Sequence, residues 1–93
     1  MSMTTWWITS EQTVVQDGVA QQQITVLRSL SGKSREQAVA ELHKTVKRYV
    51  PESLKGVPHV AVRNDDGSFS ILPKKANKGY PPCTVRLREQ FGG

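Results

Sequence analysis

Ala38, Leu42, Val46 and the pair Tyr49/Val50 recur at intervals of four, four and three or four residues. That spacing lays them on one face of a helix and predicts one over about 34–50. Ser34 and Gln37 stand in the Ser-x-x-Gln order of a capping box, which satisfies two backbone donors at a helix start. Glu36 falls in the first turn and Lys44, Lys47 and Arg48 fall towards the end, an order that suits the helix dipole. Pro51 stops the helix.

A period of two follows. Val60-Ala61-Val62-Arg63 and Ser68-Phe69-Ser70-Ile71 flank Asn64-Asp65-Asp66-Gly67, a run of turn formers. A four-residue loop there predicts Val62 opposite Phe69 and Val60 opposite Ile71. All four would share one face, with Ala61, Arg63, Ser68 and Ser70 on the other. Pro73 ends the second strand. Lys74 to Pro82 has the Gly, Pro and Asn content of an exposed loop. Thr84 to Arg88 alternates again and predicts a last strand, with Val85 and Leu87 facing in and Arg86 and Arg88 facing out.

The first 30 residues are open to two readings. Trp6-Trp7-Ile8 and Ile24-Thr25-Val26-Leu27 favour strands, with Asp17-Gly18 as the turn between them. The rival reading is a helix over 19–30 with Ile24, Leu27 and Leu30 on one face, followed by a Ser31-Gly32-Lys33 turn. The β-branched Thr25 and Val26, and the helix breaker Gly18, favour strands. The order is then ββαβββ: a single α+β domain over 1–93, with a mostly antiparallel sheet covered by one helix. The expected core is Ile24, Val26, Ala38, Leu42, Val46, Val60, Val62, Phe69, Ile71, Val85 and Leu87, with one tryptophan. In a strand, adjacent Trp6 and Trp7 point to opposite faces, so one is core and the other is exposed.

Composition narrows the class. The 93 residues are 37% hydrophobic and 23% charged, values that suggest neither disorder nor a membrane protein. No apolar run approaches the roughly 18–20 residues of a spanning helix. Met1 to Ile8 lacks the basic and long apolar regions of a secretory signal. The one cysteine, Cys83, excludes an internal disulfide and fits a reducing compartment, so a cytoplasmic location is expected.

Net charge is +5 and unevenly placed. Residues 1–46 carry four Lys or Arg against four acids, while residues 47–93 carry nine against four. No acid lies between Lys74 and Arg88. Such asymmetry suggests a polyanionic or acidic partner, although solubility also accounts for it.

Several constellations have plain structural explanations. Ser31-Gly32-Lys33-Ser34 opens the helix and resembles the end of a phosphate-binding loop. The glycine that motif needs five positions before Gly32 is here Leu27, and helix capping accounts for the residues. Cys83, His43 and His59 are the obvious nucleophile and imidazoles, but no spacing brings them together. His43 sits among lysines, which suggests an exposed helix face. One cysteine does not build a zinc site. Asp65 and Asp66 suit a turn. No catalytic residue, metal site or cofactor is therefore expected.

The chain end, Val85-Arg86-Leu87-Arg88-Glu89-Gln90-Phe91-Gly92-Gly93, resembles the end of ubiquitin-like and sulfur-carrier proteins, in which a final strand runs into a tail closing in Gly-Gly. Their β-grasp fold is ββα followed by further strands. The resemblance implies that the Gly93 carboxylate would be adenylated and then carried as a thiocarboxylate or joined to a lysine. Gly79-Tyr80-Pro81-Pro82 stands where sulfur carriers commonly have an acidic turn.

The residues themselves favour a non-enzymatic binding module. Its expected surface is Lys74, Lys75, Lys78, Tyr80, Arg86 and Arg88, with Arg63. The cations would contact phosphates, and Tyr80 or a tryptophan would stack. Nucleic acid leads as partner, and an acidic protein surface comes next. The alternative is the carrier, with Gly92 and Gly93 as its conjugation tail.

Overall fold

The computed structural model describes residues 4–51, 54–75 and 83–91. It is an α+β fold in the order β1 (Thr5–Gln16), β2 (Val19–Ser31), α1 (Arg35–Arg48), β3 (His59–Arg63), β4 (Phe69–Pro73) and β5 (Cys83–Glu89). The five strands form one sheet in the order β2-β1-β5-β4-β3, and every neighbouring pair is antiparallel. The helix packs on one face, and the other face is uncovered among the described residues.

Residues 19–30 are strand, not helix. Asp17 and Gly18 both take positive φ, 54° and 76°, as the two-residue turn that matches strand twist requires. β1 and β2 then pair from Gln16↔Val19 to Thr5↔Ser31, with one irregularity where Ile8 faces Arg28 and Thr9 faces Val26. Leu27 is the extra residue of this bulge. It packs half-buried against the core, and Arg28 beside it forms an ion pair with Glu41 on the helix.

The helix starts as the capping box dictates. The Ser34 hydroxyl accepts from the Gln37 backbone N–H, and the Gln37 side chain accepts from the Ser34 N–H. These bonds use the groups that a phosphate would need, which completes the structural explanation of Ser31 to Ser34. Ala38, Leu42 and Val46 are buried as the spacing requires, and burial of each larger side chain contributes about 1.5–3 kcal/mol. Trp6 donates its indole N–H to the Lys33 carbonyl at 3.0 Å and so ties the linker before the helix to β1.

The β3–β4 hairpin differs from expectation by one residue. Arg63 faces Phe69, Val62 faces Ser70 and Ala61 faces Ile71. The Asn64 N–H donates to the Ser68 carbonyl, the Gly67 N–H donates to the Asn64 carbonyl, and Gly67 has φ +88°. This is a three-residue loop with a left-handed bulge glycine, not a four-residue loop. The odd loop length puts Ala61 and Arg63 on the face of Phe69 and Ile71. Val60 and Val62 lie on the uncovered face and are exposed, not core.

Ile24 and Val26 leave the expected core for a related reason. They stand opposite Glu11 and Thr9, on the face that the helix does not cover, and are 53% and 47% exposed. The buried cluster is instead Ile8, Leu30, Ala38, Leu42, Val46, Leu54, Ile71, Cys83 and Val85, with Trp6, Tyr49, Phe69 and Leu87 packed against it. Trp6 is thus the inner tryptophan, and Trp7 is the exposed one. His43 also departs from expectation: it is half-buried, edge-on to the Phe69 ring at 5.4 Å.

Candidate functional site

Of the residues picked out as a basic surface, Lys78 and Tyr80 lie outside the described residues, as do Gly92 and Gly93. The rest fall at two ends of the sheet. Lys74 and Lys75 follow β4 and are exposed. The Lys74 N–H donates to the Pro58 carbonyl at 2.9 Å, which holds this end of the strand beside the segment that follows the helix. Ile71 faces Cys83, so Lys74 and Arg86 lie three residues beyond that pair in opposite directions. At about 3.4 Å per residue the two are roughly 20 Å apart along the sheet.

Arg86 and Arg88 point to the uncovered face, where Glu11 meets both. The Arg86 Nε is 3.2 Å from one Glu11 oxygen, and Arg88 pairs with the other. The Arg86 Nε has no aligned hydrogen bond, so its contact is electrostatic. Glu11 is only 6% exposed. Arg86 also lies 3.9 Å from an Asp66 oxygen. Two of the expected cations are therefore already engaged by carboxylates. Trp7 completes this area, its indole N–H bonded to the Gln90 side chain at 3.0 Å.

Arg63 lies on the helix side. It lines a groove of about 410 Å³ with Trp6, Arg35, His43, Leu87 and Glu89. Arg86 lines the same groove, so Arg63 meets the Arg86–Arg88 pair there and stands apart from Lys74 and Lys75.

The helix supplies cations that the sequence reading explained by the dipole alone. Its C-terminal turn lies over the start of β5, because the Tyr49 hydroxyl reaches Ser10 at 3.0 Å and Ser10 lies 3.3 Å from the Cys83 thiol. Lys47 and Arg48 in that turn are exposed, as are Lys74 and Lys75 after β4, and Arg48 lines a groove with Leu27, Arg28, Glu41 and Lys44 on the β2 side of the helix. Among the described residues, none of Lys47, Arg48, Lys74 and Lys75 has a carboxylate partner. The signal for Lys47 and Arg48 was present in the charge count of residues 47–93. The chemistry available is that of four exposed cationic side chains. They attract phosphate or carboxylate groups at long range and fix no single geometry.

Among the described residues, no group of three or more His, Cys, Asp or Glu side chains could hold a metal ion. Burial pushes the Cys83 thiol above its ordinary value, partly offset by the Ser10 hydrogen bond. His59 shares a hydrogen bond of 2.8 Å between its Nδ1 and the Val57 carbonyl. Among the described residues, no helix is long and apolar enough to cross a membrane. None of the protein-family models, curated proteins or solved structures compared with the chain matches it.

Proposed function

We propose that the protein is a non-enzymatic binding module that holds a polyanion, nucleic acid foremost, against Lys47, Arg48, Lys74 and Lys75. The observation that supports this reading is that these four cations are exposed and have no carboxylate partner among the described residues. Lys78 and Tyr80 stand three and five residues after Lys75 in the chain. Arg86 and Arg88 take a lesser part, because Glu11 already neutralises one of their two charges.

Fluorescence anisotropy with labelled single- and double-stranded oligonucleotides tests the proposal. Four phosphate contacts would weaken binding on the order of 100-fold between about 50 and 200 mM salt. Changing Lys47, Arg48, Lys74 and Lys75 together to Glu removes that binding, while Arg86→Ala leaves most of it. Absence of binding at low salt overturns the nucleic-acid reading. An acidic protein partner would then be the polyanion to seek.

The carrier alternative has the ββαβββ order on its side. Its chemistry rests on Gly93. Deletion of Gly92 and Gly93 would abolish activation by an adenylating enzyme and leave oligonucleotide binding intact.

A further inference from the structure

β2 is an edge strand of 13 residues, with β1 as its one neighbour in the sheet. Edge strands expose a row of unpaired backbone donors and acceptors, and proteins usually guard them by shortness, charge or proline. β3, the opposite edge, has five residues and carries His59 and Arg63 at its ends. β2 carries no charge and no proline from Val19 to Leu27. Its guards are the bulge at Leu27 and the charge of Arg28, both towards one end.

Among the described residues, the same stretch has no second neighbour in its own sheet. β1 pairs with β5 only as far as Gln12↔Cys83. Beyond it, Thr13 to Gln23 forms a two-stranded arm whose every residue is exposed, including Val14, Val15 and Val19. The molecule is 48 Å long with a radius of gyration of 14.5 Å, against about 12 Å for a compact chain of this size. A two-stranded ribbon is marginal in water, and a third strand makes it stable.

The outer side of the arm fits one partner best. A two-fold axis places each surface against its own copy, so the residues at the seam must complement themselves. Gln21, Gln22 and Gln23 meet that condition, because a side-chain amide both donates and accepts hydrogen bonds. The absence of charge means that two copies of a +5 protein meet there without local repulsion. Ile24 and Val26, exposed on the uncovered face, would gain apolar neighbours across the seam.

We propose that two copies of this chain pair antiparallel through their β2 edges about a two-fold axis, joining two five-stranded sheets into one. Isologous pairing uses the long edge of both copies. A β2-to-β3 contact would match 13 residues with five and would not close.

Sedimentation equilibrium of the full chain over a wide concentration range tests this, with twice the monomer mass as the expected result. Gln22→Lys combined with Ile24→Lys puts like charges at the seam and gives the monomer mass with an unchanged far-ultraviolet circular dichroism spectrum. Gln22→Glu with Ile24→Glu does the same alone, and mixing the two variants restores the dimer. Should those variants fail to fold, hydrogen exchange of the unaltered protein gives the answer, because β2 amide protection should rise with protein concentration. A wild type that stays monomeric throughout, a dimer that survives the lysines, a mass that grows without limit, or β2 protection independent of concentration would each overturn the proposal.

Discussion

Arg86 reaches the Glu11 carboxylate from the neighbouring strand at 3.2 Å, and the two side chains differ in how much water they keep. Glu11 is buried, whereas Arg86 and Arg88 stay more than a third exposed. Removing the acid leaves two cations that water can serve. Removing both cations leaves a carboxylate with neither water nor partner. Glu11→Ala should therefore cost about 2 kcal/mol, after allowing for solvent screening of the arginines, and the double change Arg86→Ala with Arg88→Ala about 3 kcal/mol or more. Urea denaturation measures both. A larger loss from Glu11→Ala would show that the arginines, not the acid, depend on the pair.

This pair also shows why the candidate site was only partly legible in the sequence. Arg88 and Glu11 lie 77 positions apart, so the run from Lys74 to Arg88 reads as free of acids. The sheet order brings β1 beside β5 and supplies the missing carboxylate. Local signals carried further. The Ser34–Gln37 capping box, the Asp17-Gly18 turn and the inward Val85 and Leu87 each need only a few neighbouring residues, and each stands as read. Alternation alone does not say which face of a strand receives the single helix. Pattern alone puts Ile24 and Val26 inside and gives no sign that Ile8 and Leu30 are buried. Leu54 lies in an irregular segment with no period to betray it.

The one-residue difference in the β3–β4 hairpin makes Gly67 its most sensitive position. At φ +88° an L side chain is strained, yet nothing lies within 4 Å of where a Cβ would stand. The cost of substitution is thus conformational and not steric. Gly67→Ala should lower stability by about 1–2 kcal/mol, and Gly67→Asn by less, because asparagine tolerates left-handed backbone. Thermal or chemical denaturation of the two variants checks the order. Equal losses would mean that contacts, not φ, set the cost.

Beside that glycine, Asp66 ties the turn to pH. The Ser68 hydroxyl and then the Ser68 backbone N–H donate to its carboxylate, and together with Arg86 they hold it below the usual carboxylate range. A folded value below the unfolded one means the stabilisation is complete above the ordinary aspartate pKa of about 3.9 and fades as pH falls through the folded value. The stability gap between the wild type and Asp66→Asn should therefore be constant near neutrality and shrink in acid. Ser68→Ala should move the Asp66 titration, followed by NMR, back towards the ordinary value. An unmoved titration would assign the shift to the Ser68 backbone N–H and Arg86 instead.

Cys83 gives a direct readout of the seam between helix and sheet. Its thiol is fully buried, 3.3 Å from the Ser10 hydroxyl, which in turn shares a hydrogen bond with the Tyr49 hydroxyl. Burial keeps the thiol protonated, and the thiolate is the reactive form. A thiol-reactive dye should label the native protein slowly, at a rate set by the fraction of molecules that open. Tyr49→Phe removes one hydroxyl and leaves Ser10 with Cys83 as its partner, a loss of about 1 kcal/mol. That loss raises the open population, and with it the labelling rate, about fivefold. Fast labelling of the wild type would show that the thiol is accessible without opening. A Tyr49→Phe rate equal to a slow wild-type rate would show that the opening which exposes Cys83 leaves the helix end in place.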